Sequence, residues 1–248
     1  ATYSGQFEIV NILVASDSYY IPTTINYTAI DIDGNTYSTV QIGTQNWMAE
    51  NLKTTHYNDG SEIPTGYAYF LWARLDDTET GAYAIYPADS IYNATWDDAS
   101  IATCGENCAD IYGNLYNWYA VDDSRGICPV GWHVPSDDEW TILTDYLGGV
   151  NVAGSMTKST GTIEGGDGLW ESPNEGATNE SGFNALPAGF RYASNGIYYY
   201  MGFKTFFWSS SEKHSISAWS QHLYYDSSSI NKLNSEKAYG FSVRCLQD

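Results

Sequence analysis

The stretch Gly126–Gly149 restricts the fold more than any other part of this chain. Ser136 is followed three residues later by Glu139, the spacing of a reciprocal cap in which each side chain bonds the other's backbone N–H. Asp137 and Asp138 add negative charge at the positive end of a helix dipole. Trp140, Leu143 and Leu147 then fall on one face, with Ile142 and Tyr146 beside it. Gly148 can take the left-handed conformation that closes a helix. The spacing predicts an amphipathic helix over 137–147 whose aromatic face is core.

Three other segments accompany this one. They are Asp31–Tyr37 with Ile42–Leu52, Tyr112–Tyr119, and Pro173–Pro187 with the ending Tyr-Gly-Phe-Ser-Val-Arg-Cys at 239–245. Together with Cys-Pro-Val-Gly-Trp-His-Val-Pro-Ser-Asp-Asp-Glu-Trp at 128–140, they resemble the Fibrobacter succinogenes major paralogous domain over roughly residues 29–248. That resemblance implies a C-type-lectin-like fold, similar to formylglycine-generating enzymes. It also implies a secreted or surface-exposed bacterial protein. The expected fold is α+β, a C-type-lectin-like domain over 27–248 with two helices and mainly antiparallel short strands. An N-terminal β-arm and linker precede it over 1–26.

The chain of 248 residues carries 30 acidic against 10 basic residues, a net charge of −20. Such a field repels phosphate backbones and argues against nucleic acid as a partner. No apolar run approaches the roughly 18 residues of a membrane span. The chain begins at Ala1, which suggests a mature form whose targeting segment has been removed. Four cysteines in a secreted chain suggest two disulfides. Three pairings are possible. Cys104–Cys108 with Cys128–Cys245 is favoured, because the second bridge closes a long loop. A metal site at Cys104 and Cys108 is the rival and lacks a nearby histidine.

At the N-terminus, Phe7, Ile9 and Leu13 would point one way from a strand, and Val10, Ile12 and Val14 the other. A strand apolar on both faces needs cover on both. It either adds to the domain's own sheet or pairs with a neighbouring subunit as a self-assembly arm. Asp33-Gly34 marks a hairpin turn within 25–43. The same acidic residues do not have the spacing of a calcium loop, which needs its glycine at position six and a Glu at twelve. Residues 61–111 form an aromatic, acidic, irregular region expected to be an insertion. Tyr112–Ser124 is expected as the first helix. Short strands are expected at 183–191, 198–203, 205–210, 218–225, 228–233 and 239–246.

The glycine-, serine- and asparagine-rich stretch from 150 to 181 corresponds to the long loop of lectin-like domains. Glu171, Glu175 and Glu180 offer hard oxygen ligands that suit calcium. The alternative is that the loop's side chains simply bond backbone amides. The Glu-Pro-Asn and Trp-Asn-Asp motifs of calcium-dependent lectins are absent. Trp170, Asn174, Glu175, Tyr198, Tyr200, Trp208 and Trp219 are the candidate ligand-binding residues, as a platform on which sugars stack. Alternation along strands would place only half of these rings on one face.

Catalytic signatures are missing. There is no nucleophile elbow, phosphate loop, dinucleotide fingerprint or paired-histidine zinc motif among His56, His133, His214 and His222. Cys245 has no close partner in sequence, unlike the reactive cysteine pair of the sulfatase-modifying enzymes. No catalytic residue is assigned, and the leading expectation is a non-enzymatic surface protein, structural or adhesive, that assembles with copies of itself or a scaffold. A carbohydrate-binding module is the first alternative and a sulfatase-modifying enzyme the second.

Overall fold

The computed structural model describes residues 28–86, 104 and 108–248. The N-terminal arm, with Phe7, Ile9, Val10, Ile12, Leu13 and Val14, lies outside the described residues, as does much of the expected insertion. The remainder is mixed α+β, rich in short strands with few helices.

The chain enters through a hairpin of β1 (Ala29–Ile30) and β2 (Thr36–Tyr37). The expected turn at Asp33-Gly34 forms, and the residue that organises it is Asp31, whose carboxylate accepts from the backbone N–H of Asp33 and Asn35 and from the Tyr37 hydroxyl. A second hairpin follows, β3 (Thr39–Ile42) and β4 (Gln45–Met48). The expected insertion supplies α1 (Tyr69–Trp72), β5 (Tyr83–Ala84) and α2 (Cys108–Tyr112).

A continuous helix over 112–124 does not form. Gly113 adopts φ 74°, and a Cβ there would meet the Asn51 side chain at 2.6 Å, so α2 stops. The chain then runs through β6 (Leu115–Tyr116) and restarts as α3 (Trp118–Val121), capped by Asn117 accepting from the Ala120 N–H. After β7 (Trp132–His133) comes α4 (Asp137–Tyr146), with the reciprocal Ser136–Glu139 cap in place. A further helix, α5 (Val150–Thr157), occupies the start of the expected long loop. Its β-branched and glycine content gives weak helix propensity. It forms in tertiary contact, since a Cβ on Gly154 would meet the Ser229 and Ser228 carbonyls at 2.5 and 2.6 Å.

The C-terminal third provides β8 (Ala188–Arg191), β9 (Tyr198–Met201), β10 (Lys204–His214), β11 (Ser217–Tyr224), β12 (Asn231–Glu236) and β13 (Leu246–Gln247). Strands β8 to β12 make a five-stranded sheet in the order β12-β11-β10-β8-β9, mostly antiparallel. A four-stranded sheet runs β3-β4-β13-β7.

The segment 239–247 links the two sheets. Only Leu246–Gln247 joins a regular ladder; before it the segment changes partner residue by residue. Gly240 bridges Arg191, Phe241 bridges Tyr116, and Ser242 bridges Phe207. The Cys245 and Val243 carbonyls accept from the Met48 and Leu52 N–H groups. Both favoured disulfides, Cys104–Cys108 and Cys128–Cys245, are formed. The second ties the loop before α4 to this linking segment.

Trp47, Trp140, Phe183 and Phe207 form an aromatic nucleus between α4 and one face of the larger sheet, with centroids 4.8 to 5.8 Å apart. Arg244 is fully buried beside it. Its Nε donates to Asn51 Oδ1 at 2.6 Å and its Nη2 to the Asn184 carbonyl at 2.9 Å. Nη1 donates to the carbonyls of Met48, at 3.1 Å, and Phe183. Burial pulls the Arg244 pKa down, and the acceptors around it are neutral oxygens rather than carboxylates.

Candidate functional site

The opposite face of the five-stranded sheet carries an open groove of about 360 Å³. Its floor follows from cross-strand pairing. Phe206 sits opposite His222, and Lys204 opposite Tyr224, on adjacent antiparallel strands. Side chains two apart share a face, so all four reach the same side. Phe190 from β8, Tyr200 from β9, and Tyr239 and Phe241 from the linking segment complete the aromatic wall. Leu233, Asn234, Ser235 and Glu236 of β12 form the other side.

Phe190 is the hub. Its ring lies 4.8 Å from Phe206, 5.7 Å from Tyr239, 5.8 Å from Tyr199 and 5.9 Å from Tyr200. Two successive residues, Tyr199 and Tyr200, thus approach one ring, against simple alternation. The cause is local. Tyr200 and Gly189, on the neighbouring strand, both take left-handed conformations, φ 63° and 64°. Such a conformation is a genuine outlier for a bulky residue and costs of order 1–3 kcal/mol. The kink turns the Tyr200 ring into the groove while Tyr198 goes to the core.

Polar groups are placed among these rings. The Lys204 ammonium lies 4.0 Å from the centroid of Tyr200 and 5.2 Å from that of Tyr224. Burial lowers its pKa, while Asp226 acts in the opposite direction. His222 is buried, with Nε2 2.7 Å from the Ser220 hydroxyl, which lies 2.8 Å from the Ser235 hydroxyl. Burial first, and then the Lys204 charge, push the His222 pKa down to about 3, so the imidazole is neutral at neutral pH. Burial also raises the phenols of Tyr224 and Tyr239. The groove therefore offers aromatic faces, hydrogen-bonding phenols, one ammonium and one carboxylate, that of Glu236.

The structure scatters the ring platform expected from sequence. Of the rings expected as a platform, Tyr200 lines the groove, joined by Tyr224 from the same tyrosine-rich strands. Trp170 and Trp208 are core residues with no exposed surface, their indole N–H groups donating to the Ala185 and Tyr116 carbonyls. Tyr198 is also buried, 5.1 Å from Tyr86. Trp219 points from the opposite face of β11, under the ammonium groups of Lys213 and Lys232 at 4.7 and 4.3 Å. The sequence signalled ring content but not which side of a sheet each ring occupies. Phe190, Lys204, His222 and Tyr239 were missed because four separate elements, β8, β10, β11 and the linking segment, bring them together.

The expected calcium ligands do not converge. Glu171 is buried, whereas Glu175 and Glu180 are exposed. Among the described residues no three His, Cys, Asp or Glu side chains meet at one point. The loop is held instead by neutral contacts. Asn174 Nδ2 donates to the carbonyls of Ser159 and Gly161. Asn179 Oδ1 accepts from the Asn184 N–H. Buried Lys158, which sequence reading passed over, donates from Nζ to the carbonyls of Glu175, Tyr224 and Ser227 at 3.0, 3.1 and 2.9 Å. Asn174 and Glu175 thus serve the loop's own architecture, away from the groove.

His133 also has a structural setting. Nε2 lies 3.0 Å from the capping Glu139 and Nδ1 2.7 Å from Asp248. No described helix is long and apolar enough to cross a membrane.

Fold and groove together define a disulfide-bridged, mixed α+β module with an aromatic cleft on one sheet face. The model of the Fibrobacter succinogenes major domain matches residues 40–247, and the chain belongs to that family. No curated protein and no solved structure matches it. The two disulfides fit a secreted bacterial protein.

Proposed function

We propose that this protein is an extracellular adhesive module that binds carbohydrate, without turnover, in the aromatic groove of its five-stranded sheet. The observation that carries this reading is the groove itself, where Phe190, Tyr200 and Tyr239 flank polar side chains on rigid strands. A sugar ring has an apolar face that stacks on aromatic rings and hydroxyls that take up phenol, amide and imidazole partners. The left-handed Tyr200 supports a functional role, since strain of this kind persists where the surroundings hold a side chain for use. The C-type-lectin-like frame belongs to the same proposal. A capped helix on a mainly antiparallel sheet and the long 158–184 loop support it. No calcium is invoked.

A glycan panel probed with the full chain tests this. Retained binding is expected in chelator, together with a loss of about ten-fold or more in Tyr200→Ala and Tyr239→Ala. Binding that survives both substitutions, or that vanishes with EDTA, would sink the proposal.

Self-assembly is a second reading. β12 and β9 are edge strands of the sheet, and an open edge can accept an added strand. Polymers formed by the full chain, but not by a chain lacking residues 1–26, would support it.

A further inference from the structure

We infer that the groove is selective for a pyranose carrying a single anionic group, a carboxylate or a sulfate ester, with Lys204 as its counter-ion. The inference rests on the sugar-binding reading above and adds the charge class of the ligand.

The basic residues of the described chain are nearly all engaged. Lys53, Arg74, Arg125, Lys232 and Lys237 are in ion pairs. Lys158, Arg191 and Arg244 donate to backbone carbonyls. Lys213 lies against Trp219 on the other face of the sheet. Lys204 and Lys213 have ring contacts alone, and of the two only Lys204 is half-buried and lines the groove. Among the described residues no carboxylate lies within ion-pair distance of its ammonium. In a chain with three acids for every base, that arrangement is costly unless a ligand uses it.

The geometry presents the charge rather than hiding it. The ammonium of Lys204 lies over the rings of Tyr200 and Tyr224, which stabilise it by cation–π attraction. A pyranose stacked on Tyr200 would bring a ring substituent beside it. His222 adds hydrogen-bonding capacity without charge, and Glu236 is the one acid in the lining. One cation matches one anion. The overall charge of −20 disfavours densely charged polymers, so the fitting ligand is a mostly neutral glycan with isolated acidic groups.

The test uses the full chain on a panel where each neutral oligosaccharide is paired with uronate-bearing and sulfate-bearing counterparts. At about 0.15 M salt the Debye length is ~8 Å, which screens the distant acids and leaves Lys204, with Glu236 and Asp226, as the local charges. The wild type should prefer at least one anionic counterpart by about ten-fold or more, and which one identifies the source of the charge. Lys204→Met should level that preference, and Lys204→Arg should restore most of it. Both variants should melt with the wild type; Lys204→Gln serves if Met disturbs the fold. Equal or tighter binding of the neutral member, or a preference that outlives Lys204→Met, overturns the inference and leaves sugar binding standing. No binding anywhere on the panel removes both.

Discussion

Replacing Arg244 with Met tests how the linking segment holds the domain together. The substitution preserves much of the apolar stem and removes the guanidinium. Four acceptors then lose their donor in a fully buried site: Asn51 Oδ1 and the carbonyls of Met48, Phe183 and Asn184. A buried acceptor left unpaired costs about 1–3 kcal/mol. The lower end of that range, summed over four groups, gives roughly 4 kcal/mol. The lost stacking of the guanidinium on Phe183, 4.6 Å from its centroid, adds about 1 kcal/mol. Relief from desolvating a charge offsets part of this, so the expected destabilisation is about 3–5 kcal/mol. At roughly 2–4 °C per kcal/mol for a domain this size, the melting temperature should fall by about 6–20 °C. Urea unfolding followed by tryptophan fluorescence, with disulfides intact, measures it. Amide exchange should accelerate around Phe183 and Asn184 in the variant. A loss within about 1 kcal/mol would refute the reasoning, since the four bonds would then be replaceable by water or relaxation.

Lys158→Met should cost about 2–4 kcal/mol, because the carbonyls of Glu175, Tyr224 and Ser227 lose a shared donor; limited proteolysis within 171–180 reads the loosened loop. Cys128→Ser with Cys245→Ser opens a bridge spanning 117 residues and should cost up to about 4–5 kcal/mol in urea unfolding, whereas opening Cys104–Cys108, separated by 4, should cost much less. The third expectation concerns pH. Burial disfavours the His133 imidazolium, but its hydrogen bonds to the Asp248 and Glu139 carboxylates outweigh that and raise the pKa. A raised folded value means the stabilisation is complete below the ordinary histidine pKa of about 6.5 and is lost as pH rises through the folded value. Urea midpoints measured from about pH 5.5 to 8.5 should show this decline, and His133→Gln should flatten it.

What could be learned from the sequence followed the range of each interaction. The α4 helix was legible because its cap and apolar face lie within a dozen residues. The Asp31 turn was legible for the same reason. The disulfide pairing was legible because few alternatives existed. Arg244 stood inside a recognised motif, but its acceptors lie about 60 and 190 residues away in sequence, so its role was hidden. Helix α5 escaped because Gly154, a poor helix former, is required by the Ser228 and Ser229 backbone packed against it. The helix over 112–124 was overread because Leu115, Trp118 and Tyr119 keep helical spacing across a break that Gly113 imposes. Tyr200 was found among the tyrosines, yet the left-handed kink that turns it into the groove depends on pairing with β8.

The linking segment has a consequence for how such a protein is made. Residues 239–247 supply partners to β4, β6, β7, β8 and β10, carry Arg244, and hold one half of the long disulfide. The two sheets also meet through the aromatic nucleus, but among the described residues this segment carries backbone bridges to both. The hairpins of β1–β2 and β3–β4 and the cap of α4 are local and do not depend on it. Docking of this one segment therefore satisfies partners on five strands at once, so its contacts form or are lost together. Oxidation of Cys128 with Cys245 then fastens the same stretch of chain that the bridges hold.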